Sequence, residues 1–144
     1  MGLSIPGASA GCTVARVAFI DHLRLSVRDV PASRAFYDPW LRVLGFEPEP
    51  RDDGGAAWGL PGASEWLILT PASRERDHDL RAPGLHHVAF AAGSRAVVDD
   101  VGRVLEKLGA EILQGPREYD REPDRYAVFF LDPDGIKLEV IHAR

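Results

Sequence analysis

His22, His87 and Glu139 stand in stretches that alternate between apolar and polar residues, and the alternation assigns each of them a face. Within residues 17–27 a strand is expected, with His22, Arg24 and Ser26 on one side and Leu23, Leu25 and Val27 on the other. Residues 85–92 form a second strand, with His87 opposite the row Val88, Phe90 and Ala92. Glu139 lies between Leu138 and Val140 in a third, and an ionised carboxylate is seldom buried without a partner. Two imidazoles and one carboxylate brought together form a set that binds a divalent metal on one face and leaves the opposite positions open to substrate. Taken singly, each has a plainer account, a partly buried histidine or a wet strand face. Their relation to a repeat in the chain shifts the balance toward metal.

The repeat is read from the elements in order. After the first strand, Asp29 caps a helix with Pro31 in its first turn, a buried stripe of Phe36, Trp40, Leu41 and Leu44, a kink at Pro39 and a stop at Gly45. Residues 46–49, 56–60 and 65–70 are three short strands. Residues 71–83 are charged and without period, a linker. The text then restarts: the strand at 85–92, a helix capped by Ser94 with Val97, Val98, Val101, Val104, Leu105 and Leu108 apolar, a strand at 110–114, a polar loop at 115–124, and a hairpin to the end. Each half is β-α-β-β-β, offset by about 65 residues. His22 maps onto His87, and Asp21 onto His86, which has the opposite parity and reads as a strand-edge residue. His142 faces away from Glu139.

The closing hairpin turns at residues 132–135, Asp-Pro-Asp-Gly, where proline presets φ and glycine supplies φ > 0. A four-residue turn pairs Leu131 with Ile136, Phe129 with Leu138 and Ala127 with Val140 on one face. It leaves Phe130 by Lys137, Val128 by Glu139, and Tyr126 by Ile141 on the other. The loop before it would lie over the cup, so that Tyr119 or Tyr126 can offer a phenol to substrate, and Arg24 can pair with an anionic substrate. The plainer accounts are packing and a surface ion pair.

A chain of 144 residues suits one domain that buries about two thirds of its unfolded surface. The net charge of -5 is spread among interspersed acids and bases, which argues against a nucleic-acid face or a membrane-surface helix. No apolar run is long enough to span a bilayer, and a single Cys12 forms no internal disulfide, so the expected location is cytoplasmic. Residues 1–17 read as a loose tail; the G-x-S-x-G match at 7–11 lacks the strand and helix that a nucleophile elbow requires.

Residues 21–30 (Asp-His-Leu-Arg-Leu-Ser-Val-Arg-Asp-Val), Phe36-Tyr37, Leu44-Gly45-Phe46, residues 84–90 (Gly-Leu-His-His-Val-Ala-Phe) and residues 132–139 together resemble the vicinal-oxygen-chelate superfamily. That superfamily groups glyoxalase I, bleomycin-resistance proteins, extradiol dioxygenases, thiol transferases that inactivate fosfomycin, and methylmalonyl-CoA epimerase. The resemblance covers residues 18–142. It implies an α+β fold of two paired βαβββ modules, 18–70 and 85–144 joined by a linker at 71–84. The modules form cupped, incomplete-barrel sheets with the helices outside. It also implies a divalent metal, Fe, Mn, Ni or Zn, on His22, His87 and Glu139, and a homodimer whose site is completed within one chain or across two. The family's fourth ligand position departs, since either Leu67 or Ile68 falls there. Glu65 shares the parity of Leu67 and is a possible substitute, with a solvated charge as the plainer account.

The reading is a glyoxalase-like metalloenzyme that chelates and polarises a small oxygenated substrate, in lyase, isomerase, thiol-transferase or dioxygenase chemistry. The alternative is a metal-free, ligand-sequestering protein of the bleomycin-resistance kind.

Overall fold

The computed structural model describes residues 20–62, 65–119 and 122–143, leaving aside the side chains of residues 65, 122 and 123. The expected tail at 1–17 lies outside these residues. Strand β1 (Leu23–Val27) leads into helix α1 (Val30–Val43), followed by β2 (Glu47–Glu49), β3 (Ala56–Gly59) and β4 (Glu65–Pro71). The second half runs β5 (Val88–Ala91), α2 (Arg95–Leu108), β6 (Glu111–Tyr119), β7 (Glu122–Leu131) and β8 (Lys137–Ala143). These make two open four-stranded sheets, ordered β1-β4-β3-β2 and β5-β8-β7-β6, each with its first strand parallel to its last. The fold is α+β with the βαβββ unit used twice. Among the described residues no helix is long and apolar enough to cross a membrane.

Both helices start where a short polar side chain takes up a free backbone donor. Asp29 accepts from the Ala32 N–H at 2.9 Å and Ser94 from the Val97 N–H at 3.3 Å. Gly109 closes α2 in the left-handed region at φ 66°, a conformation in which a Cβ is costly. Helix α1 continues through Pro39, and its buried face is Ser33, Tyr37, Trp40 and Leu41, with Phe36 and Leu44 only partly covered.

The core is one cluster drawn from both halves. Trp40 on α1 meets Phe90 of β5 edge-on at 5.1 Å and Phe130 of β7 at 5.3 Å, while Tyr37 on the same helix lies 6.1 Å from Trp58 of β3. The Tyr37 hydroxyl also donates to Asp132 Oδ2 at 2.8 Å, and the Arg28 N–H donates to Asp134 Oδ2 at 3.0 Å. Each helix covers the apolar face of its own sheet, and the covered faces meet one another.

Two expectations are corrected. The final hairpin is shifted by one residue: Leu131 pairs with Lys137, Phe130 with Leu138, Phe129 with Glu139 and Val128 with Val140. Its turn is longer than four residues because Asp132 organises it. Oδ1 of Asp132 accepts from the N–H groups of Asp134 (2.9 Å) and Ile136 (2.8 Å), and the Asp132 N–H donates to the Ile136 carbonyl (2.9 Å), so Ile136 belongs to the turn. A one-residue slip exchanges the faces of β7, so Val128 and Phe130 join Leu138 and Val140 in the core while Ala127 and Phe129 join Glu139. The second correction concerns the polar loop expected at residues 115–124: residues 115–119 continue β6 and residues 122–124 begin β7. Strand β6 is a sheet edge, where Pro116 needs no ladder partner on its outer side and charged residues such as Arg117 and Glu118 face water.

Candidate metal centre

Glu139 occupies the third position of β8, a central strand, with Ala89 beside it on β5 and Phe129 beside it on β7. It is 6% exposed, so its charge needs polar partners close by. Those partners come from the sheet's two edges. His87 immediately precedes β5, and the pairing of Val88 with Leu138 brings its ring to the carboxylate, with Nε2 3.2 Å from Oε2. Tyr119, at the far end of β6, donates its hydroxyl to Oε1 over a long 3.4 Å. Phe129 fills the space among them, its ring centroid 6.2 Å from that of His87 and 5.4 Å from that of Tyr119. Lys137 places its ammonium 4.6 Å from the centre of Phe129. His86 Nδ1 lies 2.7 Å from His87 Nδ1, so the imidazole of His87 is engaged at both nitrogens.

This pair suits a metal. Two donors at adjacent positions around one ion, each about 2.0 to 2.2 Å from it, lie roughly 3 Å apart, close to the separation of His87 Nε2 and Glu139 Oε2. The third expected donor is elsewhere. His22 sits just before β1, exposed, with Nδ1 2.7 Å from Asp21 Oδ1. Among the described residues no three His, Cys, Asp or Glu side chains gather into a set able to hold a metal. The chain thus joins His87 to Glu139 and leaves His22 beside the first strand of the other sheet, in contact with Asp21.

The ladders also decide between Leu67 and Ile68. Leu23 pairs with Leu67 and Arg24 with Ile68, as Val88 pairs with Leu138 and Ala89 with Glu139, so Ile68 is the counterpart of Glu139. Leu67 faces the core; the Glu65 side chain lies outside the described residues.

Of the other candidates, Tyr119 reaches the carboxylate and Tyr126 does not. The register shift turns Tyr126 to the helix side, where its hydroxyl donates to Asp99 Oδ1 at 2.7 Å and its ring lies under Arg95. The Asp99 carboxylate holds the Tyr126 phenol above its usual pKa. Arg24 is exposed on β1, at the wall of a cavity of about 510 Å³ shared with Arg28, Arg74, Arg76 and the chain after β4. That cavity lies beside β1 and is not the space around Glu139. Sequence reasoning missed Phe129 and His86 as neighbours of the pair. The first was hidden by the register, and the second by a parity rule that stops applying where the strand has not yet begun.

Residues 19–140 match the family model described as glyoxalase/bleomycin resistance protein/dioxygenase superfamily. The chain is 32% identical over 124 residues to the uncharacterised protein YqjT of Bacillus subtilis, a match spanning 83% of this chain and 95% of YqjT. It is 31% identical over 123 residues to metallothiol transferase FosB of Lysinibacillus sphaericus, spanning 85% of this chain and 81% of that one. Among solved structures, the glyoxylase/bleomycin resistance protein/dioxygenase domain from Frankia sp. EAN1pec superposes with a TM-score of 0.70 at 27% identity, covering 89% of this chain and 99% of the other.

Proposed function

This chain belongs to the glyoxalase/bleomycin resistance protein/dioxygenase superfamily, and on that premise we propose that it is a metal-dependent enzyme that activates a small oxygenated molecule toward attack by a thiol. The observation that carries this reading is the close approach of His87 Nε2 and Glu139 Oε2 at 3.2 Å on a face left uncovered. The thiol is favoured over other co-substrates because a relative at 31% identity is a metallothiol transferase.

In this reading a homodimer completes the centre, and His22 of one copy joins His87 and Glu139 of the other. Arg24 shares the open face of β1 with His22 and travels with it, bringing a cation to pair with an anionic group on the substrate. A divalent ion bound there supplies Lewis acidity, polarising substrate oxygens against a low-dielectric wall. The chain's own residues do the rest. Glu139 supplies the negative charge, Tyr119 donates a hydrogen bond to it, and Phe129 excludes water. The cytoplasm, with its millimolar-scale thiols, is the fitting compartment.

Complementation tests the arrangement directly. His22→Ala and Glu139→Ala homodimers each lack a full ligand set, whereas their mixed dimer contains one intact site. Metal analysis for Mn, Fe, Ni and Zn is expected to find little bound to either parent and a recovered fraction in the mixture. Activity is then sought with thiols plus epoxides or 2-oxoaldehydes, and with catechols. Equal, negligible metal in the native protein and in Glu139→Ala would favour metal-free ligand sequestration instead.

A further inference from the structure

The two histidines share a feature beyond their place in the repeat: each is gripped at Nδ1 by the residue that precedes it. Asp21 Oδ1 lies 2.7 Å from His22 Nδ1, and His86 Nδ1 lies 2.7 Å from His87 Nδ1. Asp21 and His86 are themselves counterparts, each two residues before the first residue of a strand, and those strands pair in the same way with β4 and β8. The chemistry at the two positions differs, a carboxylate in one half and an imidazole in the other, yet both can accept a proton from Nδ1.

We propose that Asp21 and His86 are a matched pair of positioning residues that orient His22 and His87 and accept the Nδ1 proton of each ring when its Nε2 binds a metal. The inference rests on the metal-centre reading above and adds the residues that orient its ligands.

The argument is one of proton accounting. A neutral imidazole carries one N–H, and a ring that coordinates through Nε2 must carry it on Nδ1. At His22 the carboxylate of Asp21 can only accept, so a neutral His22 in this contact is already the Nδ1–H tautomer. At His87 the carboxylate of Glu139 faces Nε2 at 3.2 Å and can only accept, so in the metal-free pair a neutral His87 carries its proton on Nε2 and accepts at Nδ1 from His86. A metal at Nε2 would displace that proton, and the one shared between the two Nδ1 atoms would then belong to His87, with His86 as its acceptor. In both cases the outer partner fixes the ring's rotation about χ2, and an accepting partner makes the coordinating nitrogen a better donor. The free imidazole prefers the Nε2–H tautomer, so the partner of His22 sets its ring ready for a metal in advance, and the partner of His87 does so when the metal arrives.

Four variants and a control test this in the full-length protein. Asp21→Ala and His86→Ala remove the acceptor, while Asp21→Asn and His86→Asn keep a carbonyl oxygen where the acceptor atom was. Zn²⁺ affinity, measured by competition with a chromophoric chelator, is expected to fall roughly 10- to 100-fold in each alanine variant. It should stay near the native value in the asparagine variants. Alanine variants within twofold of native overturn the proposal, and so does an equal loss in alanine and asparagine variants, which would assign these residues a packing role. A metal-free readout runs beside it: nitrogen-15 NMR is expected to show His22 as the Nδ1–H tautomer in the native protein and as Nε2–H in Asp21→Ala. Finding Nε2–H in both overturns the assignment for Asp21. His87→Ala separates the layers, because native-like Zn²⁺ affinity in that variant would refute the metal centre itself.

Discussion

The two βαβββ units share topology and differ in what their last strands carry. In the second, the central position of β8 holds Glu139, served by His87 and Tyr119. In the first, the counterpart is Ile68, 4% exposed, with Arg24 beside it on β1. Their hairpins differ as well: β2 and β3 have 3 and 4 residues, whereas β6 and β7 have 9 and 10, long enough for Tyr119 to fold back over the carboxylate. The helices diverge in the other direction. Helix α2 buries Val98, Val101 and Leu105, whereas α1 buries Tyr37 and Trp40, whose rings reach both sheets. One unit has specialised in polar chemistry and the other in joining the halves.

Exchanging the paired positions is the strongest way to break that contrast. Ile68→Glu buries a carboxylate with the exposed Arg24 of β1 as its cation, and is expected to cost about 3 kcal/mol in urea denaturation of metal-free protein. Glu139→Ile, the reverse exchange, is expected to leave stability within about 1 kcal/mol or raise it, while abolishing Zn²⁺ binding. If the two chains of a dimer share the centre, Zn²⁺ restores part of the stability lost in Ile68→Glu.

The joining role of α1 is tested by Trp40→Ala, which removes rings packed on both Phe90 and Phe130. A loss of about 3 to 5 kcal/mol is expected, against about 2 to 5 for Leu105→Ala on α2. Near-equal losses accompanied by an intact second half would contradict the joining role.

Tyr37→Phe has a smaller effect with a diagnostic pH dependence. Burial holds the Asp132 carboxyl above the usual carboxylate range, and the Tyr37 hydroxyl partly opposes that by donating to it. With its folded pKa above the unfolded value, Asp132 binds its proton more tightly in the native state, so its ionisation subtracts stability as pH rises through that interval. Removing the hydroxyl widens the gap. The variant is therefore expected to lose about 1 to 3 kcal/mol at pH 7. The loss should shrink as pH falls and the carboxyl takes up its proton, and denaturation curves recorded at pH 7 and at successively lower pH read the difference.

What could be read in advance divides along physical lines. Both helices were legible because their signals are local: Asp29 and Ser94 before apolar runs of helical period, and glycines after them. The repeat was legible because strands β1 and β5 carry the same alternation. The register of the last hairpin was misjudged because a side chain, Asp132, and not the backbone turn alone, sets where the ladder restarts. Residues 115–124 read as a loop because an edge hairpin wetted on much of its surface shows no apolar period. The pairing of His87 with Glu139 followed from strand faces, but the separation of His22 did not. Which faces the two sheets turn toward one another depends on Trp40, Phe90 and Phe130 meeting across the chain, and no local pattern encodes that meeting.

The shared aromatic cluster also governs how this molecule comes apart. A bead-like chain of two repeats could lose one bead while the other survived, but here each half shields oily surface belonging to its twin. Heat or denaturant should accordingly meet a single cooperative melt, and a protease nick in the connector between β4 and β5 would leave two pieces that stay clasped.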